Sequence, residues 1–157
     1  MKTIKIWLYK NSKTFFWKLI RWKQRKFSWR YARYTHTELV FEDWLSFSSS
    51  EVDGWVRFKE IKFKKKNWDF IDIEISNMDY NRVWGFCNIQ EWNSYNWAWI
   101  FFAQILNFRK KWDWDWFCSE ICWRALQEAC ILCSYGSLFI NPAKLAFLLE
   151  EKWYKIY

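Results

Sequence analysis

One histidine, five cysteines and a carboxylate two places from the histidine are the residues of this chain best suited to covalent chemistry. His36 and Glu38 lie in Tyr34-Thr35-His36-Thr37-Glu38-Leu39-Val40, a stretch that reads as a strand with His36 inside it. Residues two apart on a strand share a face, about 6–7 Å from one another. Glu38 can therefore hydrogen-bond the ring and fix its tautomer, the part of the orienting group in a nucleophile–base pair. The candidate nucleophile is Cys118, in Trp116-Phe117-Cys118-Ser119-Glu120. There a loop of alternating Trp and Asp, Trp112 to Trp116, enters a helix. A thiol at a helix N-terminus is favoured as thiolate by the unsatisfied amides and the helix dipole. The same amides can supply part of an oxyanion hole. Together these residues suit a Cys–His attack on a carbonyl carbon.

The remaining thiols read differently. Cys118, Cys122, Cys130 and Cys133 are spaced in a way that invites zinc, but they include a single CxxC pair and have no histidine nearby. Cys122, Cys130 and Cys133 fall among apolar residues of an expected helix, where a reduced thiol behaves as a small hydrophobe. No metal and no cofactor is expected. With Cys87 the cysteines number five, so no complete set of disulfides can form within one chain, and a reducing compartment fits better.

These side chains need elements to position them. Ile4 to Leu8 predicts a strand, and Ser12 caps an expected basic amphipathic helix carrying Phe15, Phe16, Leu19 and Ile20. From Thr35 to Phe41 the period is two; a turn at Glu42-Asp43 leads to a second strand, Leu45 to Ser49. Asp53-Gly54 marks another turn before Trp55 to Phe58, and Trp68 to Ile75 alternates cleanly. Helices are then expected over Asp79–Trp92, Tyr95–Phe108, Ser119–Cys133 and, opening at Pro142, through Leu149. Strands first and helices later make an α+β fold: a small antiparallel sheet carrying the histidine, packed against helices.

Length and composition allow that fold and exclude others. The chain has 157 residues, a quarter of them aromatic, with three Gly and one Pro, which rules out disorder and low-complexity scaffolds. A single domain over 1–157 is expected, with a basic N-terminal strand and helix in 1–34 and a catalytic core in 35–157. The rings around positions 68–108 are expected to form the core. Those of the first 34 residues fit either packing or partner binding, and Trp112 to Trp116 a wall beside the nucleophile. Net charge is +8, and Met1 to Thr37 holds eleven bases and no acid. A second basic run comprises Lys62, Lys64, Lys65 and Lys66. Such a field suits an anionic polymer or membrane surface, or simply keeps the protein soluble. Neither a signal peptide nor a membrane-length apolar run is present, so a cytoplasmic protein is expected.

Four stretches resemble one family. His36 in Tyr34 to Val40, Asp53-Gly54-Trp55-Val56-Arg57-Phe58, Trp68-Asp69 and Phe117-Cys118-Ser119-Glu120 resemble the permuted papain-like cysteine hydrolases. These are the permuted branch of the NlpC-type superfamily, with YiiX-like proteins and phage-encoded relatives. Their His-bearing strands precede the Cys-bearing helix, as here. The resemblance spans about Thr35 to Leu149. It implies a circularly permuted papain-like fold with Cys118 as nucleophile, His36 as general base and Glu38 as orienting residue. Many members take that third group from the next strand, which here offers Ser46, Ser48 or Ser49. Tyr34 and Tyr95 are the oxyanion candidates. Where a Gly-Gly pair is expected after the Asp of the turn, this chain has Gly54-Trp55.

The expected function is that of a cysteine peptidase, amidase or acyltransferase acting on amide or ester bonds, with bacterial cell-wall peptides or acyl lipids as implied substrates. The contrasting expectation is a non-enzymatic protein whose basic, aromatic-rich start binds nucleic acid or a membrane surface.

Overall fold

A computed structural model describes residues 1–10, 30–94, 117–135, 140–152 and 154–157. The fold is α+β. Five strands, β1 (Lys2–Tyr9), β2 (His36–Val40), β3 (Leu45–Ser49), β4 (Val56–Glu60) and β5 (Trp68–Ile75), are followed by α1 (Asn77–Gln90), α2 (Cys118–Glu128) and α3 (Pro142–Glu151). The strands form one sheet in the order β4-β3-β2-β1-β5, antiparallel at every pairing. The expected helices at Ser12 and over Tyr95–Phe108, and the Trp112–Trp116 loop, lie outside the described residues.

β1 is an interior strand of the sheet, between β2 and β5, rather than an N-terminal addition at its edge. It pairs with β2 from Lys5↔Val40 to Tyr9↔His36, and with β5 from Lys2↔Ile75 to Tyr9↔Trp68. Its alternation gives the sheet two covered faces. Ile4, Ile6 and Leu8, all fully buried, join Leu39, Ile71 and Ile73 in a core shared with the helices. On the other face Trp7 stacks on Phe63 at 4.3 Å and Phe70 at 5.1 Å, with Trp44 and Trp68 each 6.4 Å away. Aromatic pairs of this kind add about 0.5–1.5 kcal/mol beyond their buried area. At Trp7, an aromatic residue of the basic start therefore serves packing.

Both rims of the sheet meet backbone from elsewhere in the chain. Phe70 and Tyr157 exchange main-chain hydrogen bonds of 3.1 and 2.9 Å outside β5. Beside β4, Val56 N–H donates to the Asn93 carbonyl at 2.8 Å, and the Val56 carbonyl accepts from Trp92 N–H at 2.9 Å.

Two helices begin where the sequence places a cap. Ser76 accepts from the Asp79 N–H at the start of α1, and Asn141 from the Lys144 N–H at the start of α3. Asn141→Ala should lower stability by about 1 kcal/mol, measured as an earlier urea midpoint with an unchanged slope. α1 ends at Gln90, two residues before the expected end. The α2 expectation needs a larger correction. The helix stops at Glu128, and Cys130 and Cys133 lie beyond it, exposed, rather than on an apolar helical face. Cys130 has a positive φ of 55°, which no helix can continue through. Among the described residues, no helix is long and apolar enough to cross a membrane.

Candidate active site

Cys118 is the first residue of α2, preceded by Phe117 in an extended conformation. The first-turn N–H groups of a helix have no partner within it, so those of Cys118, Ser119 and Glu120 collect at the thiol's end. Two side chains fix this terminus. Ser119 Oγ donates to the Ile140 carbonyl at 2.7 Å, tying α2 to the residue before the α3 cap. One turn on, the Cys122 thiol lies 3.9 Å from the carbonyls of Thr37 and Phe47, seating the helix across β2 and β3. Burial pushes the Cys122 and Cys87 thiols well up, so both stay protonated.

His36 begins β2, one place nearer the strand end than expected. Its Nε2 lies 2.8 Å from Glu38 Oε1, and its ring meets Trp68 edge-on at 6.3 Å. Cys118, 82 residues away in sequence, lies close enough to the ring to raise its pKa. With Nε2 committed to Glu38, Nδ1 is the nitrogen left for the thiol. Burial works against an imidazolium here, but the Cys118 charge and hydrogen bond, followed by those of Glu38, outweigh it. The His36 pKa rises from 6.5 to about 10. The ring is thus a cation at neutral pH, with the Glu38 carboxylate beside it.

Glu38 is buried, its side chain 1% exposed, and Arg57 explains how a carboxylate survives there. Arg57 grips it with both ends of its guanidinium, Nη1 to Oε2 at 2.9 Å and Nη2 to Oε1 at 2.8 Å. Burial alone would raise the Glu38 pKa; the bonds to Arg57 and His36 lower it to about 2. Arg57 Nε donates in turn to Asp53 Oδ2 at 2.8 Å, and Lys59 Nζ to Asp53 Oδ1 at 2.9 Å. Signs alternate from His36 through Glu38, Arg57 and Asp53 to Lys59. Each charge has an opposite neighbour.

Arg57 and Asp53 are the members that sequence reasoning missed: both stand in a stretch that carries the family resemblance, but neither is given a part in the site there. The available signal was an Asp and an Arg four apart across a glycine turn. That turn closes with one glycine: Gly54 takes φ 84°, while Trp55 does not need a positive φ. Two of the three serines offered by β3 are engaged elsewhere. Ser46 Oγ donates to the Lys59 carbonyl at 2.6 Å and Ser48 Oγ to that of Thr37 at 2.7 Å.

Tyr34 belongs to a second network. Its hydroxyl donates to Asp69 Oδ2 at 2.8 Å and accepts from Arg33 Nη2 at 2.9 Å, while Lys10 holds the other Asp69 oxygen. A hydroxyl so engaged has no proton to offer an oxyanion. Tyr95 lies outside the described residues. Among the described residues, no three His, Cys, Asp or Glu side chains are grouped to hold a metal ion.

Compared with protein-family models, with curated proteins and with solved structures, the chain matches none.

Proposed function

We propose that this chain is a cysteine hydrolase of the amidase or peptidase type, built as a circularly permuted papain-like domain. One observation carries the reading: the thiol at the head of α2 lies beside a histidine whose Nε2 is held by a buried carboxylate. Cys118, as thiolate, attacks an amide or ester carbonyl. The developing oxyanion is met by first-turn amides of α2. His36 then gives its proton to the departing amine or alcohol, leaving a thioester on Cys118. Neutral His36 takes a proton from water, the hydroxide displaces the thiol, and the acid leaves. An amine or alcohol acceptor in place of water makes the same cycle an acyl transfer. Glu38 orients His36, and Arg57 keeps Glu38 ionised.

A bacterial cell-wall peptide or an acyl lipid is the proposed substrate, on the strength of the family resemblance. Four exposed lysines between β4 and β5 (Lys62, Lys64, Lys65 and Lys66) support an anionic polymer or membrane surface as a partner beside this activity rather than in place of it.

Cys118 is fully buried, so its surroundings must open before it reacts, and a small electrophile is the right probe. The useful comparison is with Cys87 and Cys122, which are equally buried but lack a histidine. At pH 6, chloroacetamide should modify Cys118 well ahead of both, as read by peptide mass. Equal rates at the three buried thiols would end the proposal.

A further inference from the structure

The far end of α2 holds a second pair of thiols with no part in this chemistry. Ile131 N–H bonds the Leu126 carbonyl at 3.0 Å, and Cys130 N–H bonds the Gln127 carbonyl at 2.9 Å. This is a Schellman ending, and it puts Cys130 at the left-handed position past the cap, where glycine is the usual residue. A Cβ there crowds the adjoining carbonyl. Leu132, at φ 61°, is left-handed as well, but its side chain is buried in the core and anchors the turn. Cys130 has no such compensation, because its side chain is exposed. Packing therefore does not explain a cysteine at that place.

What the turn does achieve is to fold Cys130-Ile131-Leu132-Cys133 back on itself. Both cysteines are exposed, and both meet the Gln127 carbonyl, which accepts from Cys130 N–H at 2.9 Å and from Cys133 Sγ at 3.4 Å. A disulfide needs Cα atoms about 4.4–6.8 Å apart with facing Cβ atoms, and a tight turn gathered on one carbonyl is the kind of chain reversal that brings two cysteines into that range. Cys118 stands at the opposite end of the helix, about 16 Å away for eleven residues.

We propose that Cys130 and Cys133 form a reversible dithiol–disulfide couple, oxidised by low-molecular-weight disulfides and reduced by thiols. One thiolate attacks the incoming disulfide RSSR, forming a mixed disulfide and releasing one RS⁻. The second protein thiol loses its proton and attacks the protein sulfur of that mixed disulfide, releasing the second RS⁻. The protein gives up two electrons and two protons, and RSSR becomes two RSH.

The test uses the full chain in graded mixtures of reduced and oxidised glutathione, quenched in acid and alkylated for peptide mass analysis. The expected result is one intramolecular Cys130–Cys133 disulfide, reversed by excess thiol, with Cys87, Cys118 and Cys122 still alkylated. Thiols that persist in excess oxidised glutathione, stable single adducts on each cysteine, or chain-to-chain links would overturn the proposal. Cys130→Gly supplies a second reading, because it removes the couple and restores the favoured residue. It should raise the urea midpoint of the reduced protein and abolish its dependence on glutathione. A lowered midpoint would mean that the Cys130 side chain is there to hold the turn, and the redox role would fall.

Discussion

Arg57→Met should unfold at markedly lower urea, losing about 3–5 kcal/mol, the usual consequence of stranding a buried charge. The guanidinium is 8% exposed and makes three hydrogen bonds to two carboxylates. Methionine fills much of the same volume but leaves Glu38 facing burial with only His36 to offset it. The buried carboxyl then gains from taking up a proton, and with it goes the anion that holds the ring. Arg57→Lys should fall between the two, because an ammonium cannot grip both carboxylate oxygens in one plane. Glu38→Gln combined with Arg57→Met should recover part of the loss, since no lone charge is then left inside. If Arg57→Met stays within about 1 kcal/mol of the parent, the ion pair is not what makes this site tolerable.

The second large effect concerns His36. At pH 6, His36→Ala should slow modification of Cys118 by on the order of 100-fold, because an unassisted thiol of pKa about 8.5 is only about 0.3% thiolate there. The variant also separates two signs in the pH dependence of stability. The His36 pKa is raised in the folded state, from 6.5 to about 10. Its contribution is therefore complete below pH 6.5 and lost as pH climbs through 10. Glu38 runs the other way. Lowered from 4.5 to about 2, it contributes fully above pH 4.5, and that contribution drains away as pH falls through 2. Urea titrations of parent and variant should thus differ most below pH 6.5 and converge toward pH 10. Curves separated by a constant amount between pH 6 and 10 would show that the ring is not held as a cation.

Much of this site could be read from the order of residues, and the part that could not has a definite character. The His36–Glu38 contact needs only strand alternation, so two positions suffice to predict it. Cys118 at a helix start follows from the change of pattern after Trp116. Trp68 to Ile75 was legible because Ile71, Ile73 and Ile75 alternate with the polar Asp72 and Glu74. The contact that joins thiol to ring crosses 82 residues, and no local period encodes it. Arg57 was hidden for another reason: charge is visible in sequence and burial is not. In the same way β1 could be seen as a strand, but its place between β2 and β5 depends on pairing with residues from 27 positions on (Tyr9 with His36) to 73 (Lys2 with Ile75). The end of α2 was misplaced because Cys130 occupies a left-handed position that a glycine would have advertised.

The covered rims of the sheet bear on how a substrate could be held. Many peptide-binding folds grip an extended chain as one more strand, reading main-chain groups along an open edge. Here the outside of β5 is interrupted at Phe70 by Tyr157, and the outside of β4 at Val56 by the segment following α1. A visiting peptide therefore finds neither border free along its length. On the proposed function, recognition of the substrate then falls to side-chain contacts near the head of α2, and a ligand need not be a peptide to make those.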